Sequence, residues 1–484
     1  MQYSRYIRSG LILSSAVALA ACATLPRVDA SAAPRTPADL ASVESFGSGT
    51  AAFPDDRWWT ALGDPALNTL IEEGLRASPD TALAAARIRA ADALAEQAGG
   101  ILYPSLSIDG SAGGAKQSYN MGIPALFVPK GVIGTGKIAA TANLSLDLWG
   151  RNRAALAAAK REAEAARVDG QQARLLLATS IAAAWVEFSQ IWANRDIAAD
   201  AVAIRAETER LTALRAKAGI DPQSDLELAR SRHAAARAEL AALDEALALS
   251  RNRIAALVGA GPDRGKALPR PTLAGESVAG VPANLALDLL GRRPDIVAAR
   301  LRTEAAAKRV KVAKLDFYPN INISALAGLQ SLGLSKLFES SSTTASFGPA
   351  LSLPLFDGGR LAGRYRAAGA AYDEAVARYD ATLIGALRDV ADTLESRRAL
   401  EDRRKATDDA ARGAEAAAQL ARVRYQRGIA NLLQALTAED AALSAKRAAA
   451  DLKARANLLD ITLTRALGGG FSTSPDTTKN KAGA

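Results

Sequence analysis

The chain of 484 residues holds one Cys and one His, and aromatic residues make up only 5% of it. A disulfide framework needs at least two Cys, and a zinc site needs three or four Cys, His or carboxylate ligands, so a single chain is unsuited to both. Nucleophilic catalysis of the Cys–His or Ser–His kind would have to run through His233 alone. After residue 22 no stretch offers eighteen consecutive apolar residues, so no transmembrane helix is expected. Lys and Arg are interspersed with Asp and Glu rather than clustered. The formal charge of +9 therefore describes solvated helix faces, not a nucleic-acid footprint. What is abundant is alanine, which points to long helices packed closely through small side chains.

Other candidate chemistry is equally thin. The Gly-rich stretches at 110–114 and 131–136 are not followed by a helix, so neither is a phosphate loop. Asp408-Asp409 and Glu439-Asp440 lie in helical sequence, where adjacent side chains diverge by about 100°, so they are not acid/base dyads. No constellation supports catalysis, and no cofactor or metal is implied.

The N-terminus sets the compartment. Arg5 and Arg8 precede an apolar run from Gly10 to Ala21, the size of a signal-peptide core. It ends Leu19-Ala20-Ala21-Cys22, an apolar residue, two small residues and a Cys. This resembles the lipobox of bacterial lipoproteins, in which the thiol is acylated and becomes the mature N-terminus. Residues 1–21 are thus expected to be a signal peptide and 22–63 a lipidated N-terminal segment. Ala23 replaces the Asp common in lipoproteins held at the inner membrane, which implies export to the outer membrane.

The chain contains itself twice. Pro79-Asp80 matches Pro294-Asp295, and Tyr103-Pro104 matches Tyr318-Pro319, both at an offset of 215. Leu144-Ser145-Leu146 matches Leu351-Ser352-Leu353 at 207, and Gly219-Ile220 matches Gly428-Ile429 at 209. An insertion of eight residues in the first copy, between Leu106 and Leu144, accounts for the fall. The repeats are expected at 64–259 and 281–468, joined by a Gly- and Pro-rich linker at 260–280 and followed by a disordered tail at 469–484.

Each copy reads as helix, strand, loop, strand, long helix, turn, long helix. Period-two alternation places strands at about 104–113 and 137–149 in the first copy and 319–329 and 345–356 in the second. Each is about ten residues, the length of a tilted strand crossing a bilayer. A soluble sandwich with its apolar face inward would show the same pattern. Four strands cannot close a barrel, and an open edge cannot sit in lipid, because its N–H and C=O groups would lack partners. Strands in a membrane therefore require chains to share a barrel. Two chains would give eight strands and a filled interior; three would give twelve and room for a water-filled lumen. Asp109, Asp147, Asn143 and Asn322 would face it. Long helices are expected at 150–218, 222–258, 360–427 and 431–467, the longest reaching about 100 Å. From Leu226 to Leu257, ten positions recur with 3-4 spacing, and the same positions shifted by 209 are all apolar. That average of 3.5 is a coiled-coil seam. His233 lies on it and reads as a packed seam residue.

Three further motifs carry a family resemblance: Trp58-Trp59-Thr60 with Gly63-Asp64-Pro65, Leu146-Asp147-Leu148-Trp149-Gly150-Arg151, and Gly291-Arg292-Arg293-Pro294-Asp295. In this order, with the duplication and the lipobox, the chain resembles the outer-membrane efflux lipoproteins of the nodulation-protein type, within the TolC-like outer-membrane factors. The resemblance implies an α+β membrane protein in which four transmembrane strands per chain form a shared trimeric 12-stranded barrel, continued by a long periplasmic helical barrel. It implies a homotrimer that works with a periplasmic adaptor and an inner-membrane pump and contacts outer-membrane lipid. The duct itself performs no chemistry. Lipidation would fall on Cys22. The adaptor-docking tip would be Ala218, Gly219, Ile220, Arg427, Gly428 and Ile429. The gate Tyr would be Tyr425; the family's acidic gate positions fall on Gln434, Thr437 and Ala430, none a carboxylate, leaving Asp221 and Asp225 of the first copy as candidate acidic rings. Asp221 also reads as a helix N-cap, and Asp225 as a first-turn acid favoured by the helix dipole. The leading expectation is an exit duct for drugs or other small toxic molecules. A type I protein-secretion duct shares the architecture, and a periplasmic coiled-coil scaffold is the third reading.

Overall fold

The structure is a computed structural model and describes residues 33–40, 46, 51–120, 122, 124–273, 282 and 285–473. The expected signal peptide, Cys22 and the tail beyond 473 lie outside the described residues.

The chain forms two compact units, each assembled from separate stretches of sequence. One unit, from 88–166 and 299–379, contains a four-stranded antiparallel sheet in the order β1 (Ser105–Ala115), β2 (Ile133–Ser145), β3 (Asn320–Leu332), β4 (Thr343–Ser352). The ladders place Ile108 opposite Ala140, Ala140 opposite Ala327, and Ala325 opposite Phe347. One face therefore collects Leu106, Ile108, Ile138, Leu144, Ile323 and Phe347. The other collects Ser107, Asp109, Lys137, Asn143, Asn322 and Gln330. Phe347 is 81% exposed and Ile108 75%, so much of the apolar face is left uncovered by the described residues.

Boundaries of all four strands differ from the periodicity. β2 starts about four residues early, because its ladder with β1 runs on to Ile133 opposite Ala115, and it ends about four residues early, because Asp147 adopts φ 32° and turns the chain. Its carboxylate accepts the backbone N–H of Asn152 (2.8 Å) and Arg153 (3.0 Å), capping the next helix. Asp147 therefore does not share the polar face with Asp109, Asn143 and Asn322. β4 stops at Ser352, short of Leu353 and Leu355; Pro354, which cannot donate to a ladder, follows closely. β1 and β3 run two to three residues further than expected.

Helices flank the sheet in sequence: α1 (Pro65–Ala77), α2 (Pro79–Gly100), α3 (Arg151–Lys217), α4 (Gln223–Leu257), α5 (Pro262–Lys266), α6 (Leu285–Arg292), α7 (Pro294–Leu315), α8 (Arg360–Gln426) and α9 (Leu432–Ala466). α3 and α8 are 67 residues each, and α4 and α9 are 35 each, so the duplication extends to helix length. All ten seam positions of α4, and their ten counterparts in α9, are buried or half-buried. His233 is half-buried rather than packed: its Nδ1 lies 2.7 Å from Glu209 Oε2.

The second unit, from 35–87, 167–298 and 380–484, has a core around Leu67, Ile71, Ile181, Trp185, Phe188 and Ile254. An 18-residue stretch of α3 is long and apolar enough to cross a membrane by length and composition, but 56% of it is buried. Its Ile181, Trp185 and Phe188 serve this core. The expected linker is also structural. α5 lies within it, Leu268 is buried in the same core, and Thr272 N–H donates to Asp64 Oδ2 at 2.8 Å. The expected tail begins placed, with Thr473 N–H donating to Gly291 O at 3.1 Å.

The three sequence motifs turn out to be fastenings. Asp64 caps α1 through Ala66 and Leu67 N–H and accepts Trp185 Nε1–H at 2.8 Å. Trp149 donates Nε1–H to Pro319 O at 2.8 Å and packs on Tyr318, while Arg151 pairs with Asp316. Arg293 holds Asp295 with two bonds and donates to Ala466 O at 3.2 Å. Asp64→Ala removes a cap and strands a buried indole N–H, at a cost of about 2–4 kcal/mol. The thermal midpoint of the detergent-extracted protein should fall clearly; an unchanged midpoint would deny Asp64 this role.

Candidate functional site

The two helical hairpins of the second unit end in turns built alike. At the end of α3, Gly219 has φ 72°, Ile220 N–H donates to Arg215 O (2.9 Å) and Gly219 N–H to Ala216 O (3.0 Å). At the end of α8, Gly428 has φ 76°, Ile429 N–H donates to Arg424 O (2.8 Å) and Gly428 N–H to Tyr425 O (2.9 Å). This paired-bond stop needs a left-handed residue, which Gly supplies without a Cβ penalty. Ala218, Gly219, Ile220, Arg427, Gly428 and Ile429 are all exposed on these turns.

Between the turns lies one polar cluster. Asp221, just past the first turn, is gripped by Arg215 through Nε–H to Oδ2 (2.8 Å) and Nη2–H to Oδ1 (2.9 Å). Tyr425, near the end of α8, donates its hydroxyl to Asp221 Oδ2 at 2.9 Å, and its oxygen lies 2.8 Å from Thr212 Oγ1. The Arg215 guanidinium sits 5.0 Å from the Tyr425 ring centre. Tyr425 is buried against Ala229, Leu432, Ala435 and Leu436. Arg215, Asp221 and Tyr425 thus clasp the first-copy turn to the second-copy helix.

Geometry fixes the charges. The fork from Arg215, then the Tyr425 hydroxyl, holds the Asp221 carboxyl below its ordinary value against the opposing effect of burial. The hydrogen bond to Asp221 raises Arg215 in turn. Burial, more than any neighbour, pushes the Tyr425 phenol up, so it stays protonated and able to donate.

Of the expected gate residues, the structure unites only Tyr425 and Asp221. Asp221 is not an N-cap: Pro222 holds that position, without a side-chain cap. Asp225 is half-buried in the first turn of α4 and stands apart from the clasp. Gln434 and Thr437 are exposed; Asn431 caps the Gln434 N–H (2.9 Å), and the Thr437 hydroxyl donates back to Leu433 O (2.8 Å). Ala430 is half-buried. Sequence reasoning missed Arg215 and Thr212. The available signal was opposite charges at 215 and 221 bracketing the Gly219 turn, which folds them together. Glu439 and Asp440 do diverge, Glu439 to Arg422 and Asp440 to Arg205 and Arg232. Among the described residues, no group of three or more His, Cys, Asp or Glu could hold a metal ion.

The profile of the family described as "Outer membrane efflux protein" matches residues 70–260 and 285–469, one block for each copy. The chain is 30% identical over 471 residues to the multidrug resistance outer membrane protein MdtP of Escherichia coli strain K12, covering 96% of each sequence. The chain belongs to the outer membrane efflux protein family. The fold of this efflux protein matches the crystal structure of the outer membrane protein VceC of Vibrio cholerae, with a TM-score of 0.80 and 40% identity, covering 87% of this chain and 100% of that one. It also matches the outer-membrane channel OprN, with a TM-score of 0.80 and 28% identity, over 92% and 98% of the two chains. The efflux protein is an outer-membrane channel with a periplasmic extension, and it is not an enzyme.

Two outcomes follow from the clasp. Arg215→Ala removes the cation from a mostly buried pair, at a cost of about 3 kcal/mol. Amide exchange at 219–221 and 426–430 should then accelerate about 100-fold; an unchanged exchange rate would show that the clasp does not hold the turns. Because the Asp221 value is lowered, its stabilisation is complete above about pH 4 and disappears as the pH falls through the lowered value. Exchange at the turns should therefore be flat from neutral to mildly acidic pH and rise below it, and Asp221→Asn should abolish that rise.

Proposed function

We propose that this chain is one third of a homotrimeric efflux duct of the nodulation-protein lipoprotein type, passing drugs or other small toxic molecules across the outer membrane. The observation that carries it is the sheet: four strands with two edges unpaired among the described residues, one face with exposed apolar side chains and one polar face. Three chains pairing β4 of one with β1 of the next close twelve strands around a wet bore, which satisfies every backbone group in lipid. Two chains would close only eight, leaving no bore.

The exposed turns at Ala218-Gly219-Ile220 and Arg427-Gly428-Ile429 are the surface a periplasmic adaptor meets, and an inner-membrane pump loads the duct. The gate is the clasp of Tyr425 and Asp221 with Arg215. Gln434, Thr437 and Ala430 leave the second copy without an acidic ring, and Asp221 is neutralised by Arg215, so Asp225 is the remaining carboxylate of the gate set. Cys22 carries the lipid anchor. The likeness to the multidrug resistance outer membrane protein MdtP of Escherichia coli favours small molecules over secreted proteins as cargo.

Particle mass after detergent extraction should equal three chains, and planar bilayers should show long-lived pores. A lone monomer, or a sealed bilayer after verified insertion, would overturn the reading. Tyr425→Phe, which deletes one charge-assisted bond worth about 1.5–3 kcal/mol, should raise the open fraction of those pores. Cys22→Ser should abolish acylation while the barrel still inserts, because twelve strands bury far more apolar surface than one acyl anchor; accumulation of that variant only in the periplasm would contradict this.

A further inference from the structure

Charge on the sheet is unevenly placed. Between Ser105 and Ser145 and between Asn320 and Ser352 the chain carries Lys116, Lys130, Lys137 and Lys336, no Arg, and only Asp109 and Glu339 as acids. Three of the four lysines lie in the hairpin loops, and Lys137 alone lies in a strand. The register puts it on the polar face, between Ser111 on β1 and Gln330 on β3. No carboxylate faces it across either ladder; Asp109 sits one step along the same face, opposite Ala139. A cleft of about 680 Å³ opens on this side at the hairpin end of the sheet, and Lys137, Gln330, Lys336 and Glu339 line it. Lys137 itself is half-buried.

We infer that Lys137 is the charge-selecting residue of the bore, and that the duct favours anionic solutes such as carboxylates, phosphates and acidic organic molecules. This rests on the trimeric reading above, which turns one Lys137 into a ring of three. A ring of like charges on the wall of a low-dielectric tube concentrates counter-ions within it and repels ions of its own sign. Lys336 adds to the same field, and Glu339 offsets part of it. The opposing charge on the polar face is Asp109, deeper along the strand. In the helical unit, Asp221 is already neutralised by Arg215 at 2.8 Å and 2.9 Å, which leaves Asp225 as the competing gate carboxylate. Among the described residues, no comparable ion pair reduces the charge of Lys137.

The test is the chloride-to-potassium permeability ratio of the full-length protein in planar bilayers under a potassium chloride gradient. Wild type should give a ratio above one. Lys137→Glu should lower it about tenfold and carry it below one; Lys137→Gln should move it the same way by less, and Lys137→Arg should leave it in place. Asp225→Asn serves as the comparison. Pores whose ratio stays within about twofold of wild type in both Lys137→Glu and Lys137→Gln would overturn the assignment while leaving the channel intact. So would a shift produced by Asp225→Asn alone, or a wild-type ratio below one. A sealed bilayer after verified insertion would overturn the channel reading, and the inference with it.

Discussion

Everything in this protein answers to the two open edges of its sheet. β1 and β4 each present a row of backbone donors and acceptors with no strand partner among the described residues. In water such an edge invites aggregation; in hydrocarbon it costs several kcal/mol for each unpaired group. The alternation across the sheet sharpens the constraint, because one face suits lipid and the other suits water. Closure by neighbouring copies satisfies both demands together.

The duplication supplies the material for that closure. Each copy brings two strands and two long helices, and the helices match in length between copies although their sequences have diverged. At the turns the two copies are alike in backbone but not in side chains. The two Gly turns keep the same hydrogen bonds, but Asp221 faces Ala430 in the repeat alignment, and Tyr425 faces Ala216. The clasp therefore exists once per chain, with each copy contributing part of it.

Much of this was legible in the sequence. Period-two stretches located the strands, the 3.5 average located the seams, and fixed offsets exposed the repeat. Boundaries went astray where a side chain overrode the pattern. The alternation at Leu146 and Leu148 continues past Ser145, yet Asp147 caps α3 and turns the chain, which periodicity cannot register. The Gly- and Pro-rich stretch after residue 260 looked like a connector, yet Leu268 and Thr272 are tied into the core. At the site, Tyr425 and Asp221 were both foreseen, but not their union. That union depends on residues 204 apart in sequence, Asp221 and Tyr425, meeting through tertiary packing. The fastening motifs teach the converse: their Trp, Arg and Asp side chains tie together stretches that lie far apart in sequence.

The single clasp has a mechanical corollary. Since Arg215, Asp221 and Tyr425 lash the two hairpins of one polypeptide together, the two turns cannot part without breaking the bonds that the Tyr425 hydroxyl makes to Asp221 and Thr212.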